Sequence, residues 1–407
     1  MANKKKKNSR WCKWRHKLTR FLVSTFFGPY VRLRYHARID KLGEKNERQY
    51  LILYNHETGF DQFFVGMSFK RPVYYVASED IFSMGLLSKL IKFLVNPIPI
   101  KKQTTDPRAV INCIKVAREG GTIAIAPEGN RTFHGRPVYI KDSIASLAKH
   151  LKLPIAIFRI EGGFGVHPRW SDVIRGGRMH TYVKEIIEPE TYKDMTDEAL
   201  ADMIREKLYV DETEIDGEYP HERCAEYLER ALYYCPSCGI SELESHGDVI
   251  RCKRCGTSAR YTAKKTFVSD DPTFPYRNVA EWYDAQSAYM NSFDTTSFGD
   301  TPIQIDLASF YEVILYKKKI IIYKNAEIVL KYDRLTVKCG EQISEYLFDD
   351  ITGFTVLGKN KLNIYLRDGH VYQIKGGKRL SGLKYMNVYY RYIGIKKGEE
   401  NGQFLGL

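Results

Sequence analysis

In the stretch "LILYNHETGFDQFF", residues 51–64, four apolar residues run into Asn55-His56, and Asp61 follows five positions after the histidine. Histidine moves protons near neutral pH, and a carboxylate on one ring nitrogen fixes the tautomer and leaves the other nitrogen as a base. Residues five apart on one regular helix point about 140° away from each other. His56 and Asp61 therefore meet only if the histidine sits in the turn after a strand and the aspartate opens the next helix. No Ser or Cys stands nearby in a G-x-S-x-G setting, so a hydrolase triad is not indicated. A His–Asp pair without its own nucleophile implies that the substrate supplies the hydroxyl; a structural strand-end histidine is the alternative.

A second group is "APEGNRTFHG", residues 126–135, at the end of another apolar run. Gly129 lets backbone approach a ligand, Arg131 offers a planar fork suited to phosphate oxygens, and Glu128 can hold that arginine or a substrate hydroxyl. The bland reading is a surface turn with a solvated arginine. A third group is Cys235-x2-Cys238-x13-Cys252-x2-Cys255, each pair followed by a glycine (Gly239, Gly256). Two such pairs around a hairpin-length spacer read as a zinc ribbon, and four thiolates leave the metal no open position, so Zn2+ here is structural. His246 in the spacer is expected to be exposed. Cys12, Cys113, Cys224 and Cys339 show no pairing logic, as in a chain from a reducing compartment.

The elements that must position these groups alternate. "YLILYN", "RPVYYVAS", "VNPIPIK", "GTIAIAPEG" and "LPIAIFRIEGG" read as strands; "PRAVINCIKVAREG" and "KDSIASLAKHLK" read as helices. That alternation implies βαβ units and a largely parallel sheet, with chemistry at the carboxyl ends of the strands. Residues 191–234 read as acidic and helical, "HERCAEYLERALYY" included, and 268–300 as a polar segment with Pro272 and Pro275. From 301 onward alternating Tyr, Ile, Val and Leu, with turn signals at Lys324-Asn325, Gly358-Lys359-Asn360 and Asp368-Gly369, predict an antiparallel sheet. One amphipathic helix, "RLSGLKYMNVYYRYI", closes it.

Together the first two groups resemble the glycerolipid acyltransferase family that includes the 1-acylglycerol-3-phosphate (lysophosphatidate) acyltransferases. His56-x4-Asp61 is similar to that family's catalytic block. Glu128-Gly129-Asn130-Arg131-Thr132 is similar to its E-G-x-R-S/T block for the acceptor phosphate, while "NPIPIKK" and "LPIAIFRIEGG" fit two further blocks in the right order. The resemblance spans roughly residues 30–210. Lys102, or Lys101, stands where arginine is usual, Phe158 replaces a common proline and Ser143 a frequent glycine. The resemblance implies an O-acyltransferase in which His56 and Asp61 are catalytic and Glu128, Gly129, Arg131, Lys102 and Lys101 bind substrate. It further implies a lysophospholipid acceptor and acyl-CoA or acyl-carrier protein as thioester donor. An acyltransferase for another lysophospholipid and a catalytically silent membrane-recruited scaffold remain the alternatives. Residues 300–407 resemble the pleckstrin-homology-like superfold, which binds lipid headgroups, binds protein, or braces the enzyme.

The chain has 407 residues and a net charge of +14, and residues 1–39 hold twelve Lys/Arg and no Asp or Glu. Trp11, Trp14, Phe21, Phe26 and Tyr30 are interleaved with these cations. Cations with aromatics suit the interface of an anionic leaflet; a solvated tail and a nucleic-acid arm are the rivals. The ribbon loop is only mildly basic, so no nucleic acid is expected. No run is apolar enough to span a bilayer, and no secretory signal is evident. The expected location is the cytoplasmic face of the membrane, peripheral or monotopic. The expected organisation is a basic interfacial segment at 1–45, an acyltransferase domain at 46–230, a zinc ribbon at 232–268 and a pleckstrin-homology-like domain at 300–407.

Overall fold

The computed structural model describes residues 10–43, 47–101 and 106–398. It begins with α1 (Trp14–Leu22), one π-helical turn, and α2 (Gly28–Tyr35). The strands β1 (Ala37–Ile39), β2 (Leu51–Tyr54), β3 (Val73–Ser78), β4 (Ile98–Ile100), β5 (Thr122–Ile125), β6 (Ile155–Glu161) and β7 (Met179–Ile187) form one sheet in the order β1-β7-β6-β2-β5-β3-β4. All pairs are parallel except β6 with β7. Between them run α3 (Asp61–Ser68), α4 (Leu86–Leu94), α5 (Pro107–Arg118), α6 (Ser143–Leu151) and α7 (Gly163–Val166), with α8 (Pro189–Tyr192) and α9 (Asp197–Leu208) after β7.

Every residue of β2 is buried because helices cover both faces of the sheet. Side chains alternate across it: Leu51 and Leu53 pack with α5, α6 and α9, whereas Ile52 and Tyr54 pack with Val31 and Tyr35 of α2 and Phe64 of α3. Helix α5 starts where Asp106 caps the amides of Arg108 and Ala109, followed by Pro107 in the first turn, and Gly120 at φ 84° follows its end.

The cysteine region holds short strands β8 (Tyr234–Cys235), β9 (Gly239–Ile240), β10 (Leu243–His246), β11 (Val249–Cys252), β12 (Ser258–Tyr261) and β13 (Phe267–Val268). After α10 (Val279–Ser292), seven antiparallel strands follow: β14 (Gln304–Ile314), β15 (Lys318–Leu330), β16 (Arg334–Cys339), β17 (Gln342–Leu347), β18 (Ile351–Leu357), β19 (Lys361–Leu366) and β20 (Val371–Gly376). Their order is β17-β16-β15-β14-β20-β19-β18, a curled sheet whose edge strands β17 and β18 do not pair, and α11 (Gly382–Lys396) packs on it. Trp170, Tyr233, Tyr261, Trp282, Phe310, Phe354 and Tyr389 belong to one continuous apolar cluster, so the cysteine region, α10 and the curled sheet share a core.

Four expectations change. Residues 221–234 are not a helix: one 3-10 turn, Leu228–Arg230, follows Tyr227 at φ 70°. Ala225, Leu228 and Leu232 are buried in the apolar cluster while Arg230 binds Asp172, a burial no one-sided helix supplies. Residues 279–292 are helical, not merely polar, because Asn278 accepts from the Glu281 amide as an N-cap. Lys324-Asn325 runs inside β15, and the hairpin turns at Leu315–Lys317 with Tyr316 at φ 62°. Helix α11 is not amphipathic: Lys384, Asn387 and Arg391 are buried too, held by Gln304 Oε1, Tyr233 Oη and the Phe293 carbonyl.

Candidate active site

His56 lies in the turn after β2, and Asp61 is the first residue of α3. Imidazole Nδ1 and Asp61 Oδ2 are 2.6 Å apart. Asp61 is wholly buried and also accepts from the amides of Glu57 and Thr58, each at 2.9 Å, and from Thr58 Oγ1 at 2.6 Å. Both carboxylate oxygens are thus fixed by the turn that carries the histidine. With Nδ1–H donated to Asp61, the neutral ring holds its lone pair on Nε2. The His56 side chain is 25% exposed, so a substrate can reach it.

Strands β2 and β5 are neighbours, which sets the loop after β5 beside that turn. Thr132 N donates to the His56 carbonyl at 3.3 Å. Glu128 is buried and accepts from the amides of His56 and Val138, both at 3.3 Å, so its carboxyl joins the two loops. Burial pushes that carboxyl up to about 8. Gly129 at φ 70° makes the turn that a side chain would strain. Arg131 reaches back to the histidine turn: a Cβ built on Gly59 would lie 3.8 Å from Arg131 Nη1. That nitrogen is buried with no hydrogen-bond partner among the described residues. Burial works against the Arg131 charge, and Asp61 and Tyr35 help sustain it. Lys101 follows β4, which β3 and β5 separate from β2, a span of about 14 Å at normal strand spacing. Lys102 lies outside the described residues.

Several residues here were not singled out from the sequence. Asn55 clamps β6, its Oδ1 accepting from Ile160 N and its Nδ2 donating to Ile160 O, both at 2.8 Å. Glu57 is buried, and desolvation, then Glu212, raises its carboxyl well above the usual range. Tyr35 Oη and His167 Nδ1 are 3.0 Å apart; burial and then the charges of Lys359 and Arg131 lower that imidazole to about 3. Arg169 donates to the Arg131 carbonyl at 2.8 Å and stacks on Phe133. Only Asn55 and Glu57, on either side of the histidine, carried a local signal. The others come from distant segments.

The cysteine cluster is separate. The four sulfurs of Cys235, Cys238, Cys252 and Cys255 all lie within 4.8 Å of one another. Each loop turns on a left-handed glycine, Gly239 at φ 73° and Gly256 at φ 83°. Four thiols at such separations suit a tetrahedral ion such as zinc, whose sulfur bonds are about 2.3 Å. His246 stays outside the cluster and is exposed.

Residues 35–160 match the acyltransferase family model. The matched region contains both the His56–Asp61 turn and the Arg131 loop. Among solved structures, the chain is similar to the 1-acyl-sn-glycerophosphate (LPA) acyltransferase PlsC from Thermotoga maritima. That match has 17% identity and a TM-score of 0.36, and covers 47% of this chain and 91% of that one. A second likeness is to the C-terminal domain of an unknown protein from Leishmania infantum, with 10% identity, a TM-score of 0.18, and coverage of 24% and 93%.

Proposed function

We propose that the chain moves a fatty acyl group from an acyl thioester, acyl-CoA or acyl-carrier protein, to the free hydroxyl of 1-acyl-glycerol-3-phosphate, giving phosphatidic acid. The observation that carries this reading is the turn shared by the His56–Asp61 pair and a buried Arg131 nitrogen that has no partner among the described residues. His56 Nε2 takes the proton of the acceptor hydroxyl as its oxygen attacks the thioester carbonyl. An aliphatic alcohol is too weak an acid for an imidazole of pKa about 6.5 to deprotonate beforehand, so transfer and attack are concerted. When the carbon–sulfur bond breaks, the departing thiolate takes the proton back from the imidazolium. Asp61 orients the ring and stabilises its cation. Arg131 grips the acceptor phosphate, which supplies the partner its nitrogen lacks.

Zn2+ in the four-cysteine cluster would hold the ribbon loops together and leave no position for substrate. The acceptor is an amphiphile, so the enzyme works on a bilayer. We place it on the cytoplasmic face, peripheral or monotopic, with α1 and α2 against anionic lipid. Trp14, Phe21, Phe26 and Tyr30 are exposed there, and Phe27 packs on Phe60 and Phe63 beside Asp61. No described helix is long and apolar enough to cross a membrane.

Purified protein given labelled acyl thioester and a panel of lysolipids tests the reading. Product from lysophosphatidate above all others supports it. Preference for another lysophospholipid replaces the acceptor, and no turnover with any of them favours a silent scaffold.

A further inference from the structure

Helix α4 is built inside out. Ser88 is its one buried residue, while Leu86 is 81% exposed and Leu90 and Phe93 more than half exposed. A helix of this composition normally turns such side chains inward, and contiguous apolar surface in water marks an interaction site.

Two other segments flank it. At its end, Arg15 of α1 donates to the Phe93 carbonyl at 2.8 Å and stacks on the Phe93 ring, and Trp11 Nε1 donates to the Asn96 carbonyl at 3.0 Å. Before its start, the amide of Tyr316 donates to Ser83 Oγ at 3.1 Å, and the Tyr316 ring meets Phe82. Tyr316 tips the β14–β15 hairpin of the curled sheet, where Ile320, Ile321 and Ile322 are exposed beside Lys317 and Lys318.

The charge of these segments is one-sided. The chain holds 49 Asp and Glu, yet residues 10–39, 81–101 and 313–326 contain none. Lys17, Lys89, Lys92, Lys317 and Lys318 are all exposed around the apolar surface. Glu79 and Asp80, the nearest acids before α4, are taken up by Tyr365 and Lys319.

We propose that α4 and the β14–β15 hairpin join α1 in a single face that lies on an anionic bilayer, with α4 sunk at the interface and the hairpin lysines at the lipid phosphates. This rests on the membrane reading of the N-terminal helix given above and extends it to the curled sheet. A second copy of the chain fits less well, because a two-fold contact would set this cationic rim against itself. Apolar side chains with a cationic border are what an anionic interface binds.

Hydrogen–deuterium exchange of the full chain, with phosphatidylcholine vesicles and with vesicles containing phosphatidylglycerol, tests the proposal. The expected result is protection of 14–35, 86–95 and 315–323 together, only with the anionic lipid. Lys317→Gln/Lys318→Gln should weaken binding to the anionic vesicles by about 30-fold, and Leu86→Ser/Leu90→Ser should weaken it at any anionic lipid content. Both pairs are exposed, so the melting temperature should hold. Protection confined to 14–35 leaves the N-terminal reading standing and overturns this one, as does unchanged binding of both variants. Binding to neither vesicle removes both readings. Protection of 86–95 that grows with protein concentration without lipid assigns the face to a second copy.

Discussion

Arg169 holds Arg131 in place from another part of the molecule. Its Nη1 donates to the Arg131 carbonyl at 2.8 Å, while Nη2 and Nε donate to the carbonyls of Val356 at 2.8 Å and Gly358 at 3.1 Å. One buried guanidinium thus fastens the Arg131 loop to the turn between β18 and β19. Burial, and then the charge of Arg131, lowers Arg169 to about 9. Arg169→Met should release that loop and remove this donor from three carbonyls. Since bonds from a charged donor contribute about 1.5–3 kcal/mol each, kcat/KM should fall by at least about 10-fold. Arg169→Lys should not rescue it, because one ammonium cannot span the three acceptors. Equal exchange protection of residues 126–136 in wild type and Arg169→Met would show that the clamp is not needed.

His56→Ala removes the proposed base and little packing. Activity should drop by about 10²–10⁴-fold, with the melting temperature unchanged. Asp61→Asn should cost stability as well, since Asp61 receives four hydrogen bonds from the turn. Calorimetry beside turnover separates the two variants. Near-normal turnover in folded His56→Ala would end the proposed mechanism.

For Arg131, the comparison is between acceptors. Arg131→Lys keeps the charge and loses the fork, and the loss of one charge-assisted bond lowers kcat/KM by about 10–150-fold. Lysophosphatidate should suffer more than lysophosphatidylcholine or lysophosphatidylethanolamine. Activity that falls only in step with stability, at unchanged preference, takes Arg131 out of the phosphate site.

The cysteine cluster predicts about one zinc per chain by elemental analysis. Cys238→Ser, or a strong chelator, should loosen residues 232–268 to protease before the rest of the chain. A metal-free protein with equal protease resistance there would refute the assignment.

Glu128 gives a pH prediction with a definite sign. Burial raises its carboxyl from 4.5 to about 8, so the folded chain holds a proton that the unfolded chain releases across that range. The stabilisation is complete below about 4.5 and declines as pH rises toward 8. Glu128→Gln cannot ionise, so its loss of stability between pH 5 and pH 8 should be smaller than that of wild type. Urea midpoints at both values measure it, and identical pH slopes would mean the carboxyl is ionised throughout.

The strand-to-helix passages around His56 and Glu128 were legible because their signals are local: apolar runs, a glycine, and fixed spacing. That β2 and β5 are neighbours was not legible, since strand order is decided by packing rather than by any one segment. Residues 221–234 misled because Glu, Arg, Ala and Leu favour helix, while burial of Leu228, Arg230 and Leu232 in the shared core prevailed over propensity. Helix α10 could have been found, since Asn278 precedes Glu281 by the spacing of a cap. The outward face of α4 could not. Its pattern is that of any amphipathic helix, and only the neighbours decide which side meets water.

The Arg169 clamp also has a clock. Its acceptors at Val356 and Gly358 stand 187 and 189 positions further along the chain. On a ribosome adding about 5–20 residues per second, the arginine is made about 10–40 s before the turn that will receive it. During synthesis the Arg131 loop therefore emerges without its fastening. The site reaches its final form only after the curled sheet has left the exit tunnel.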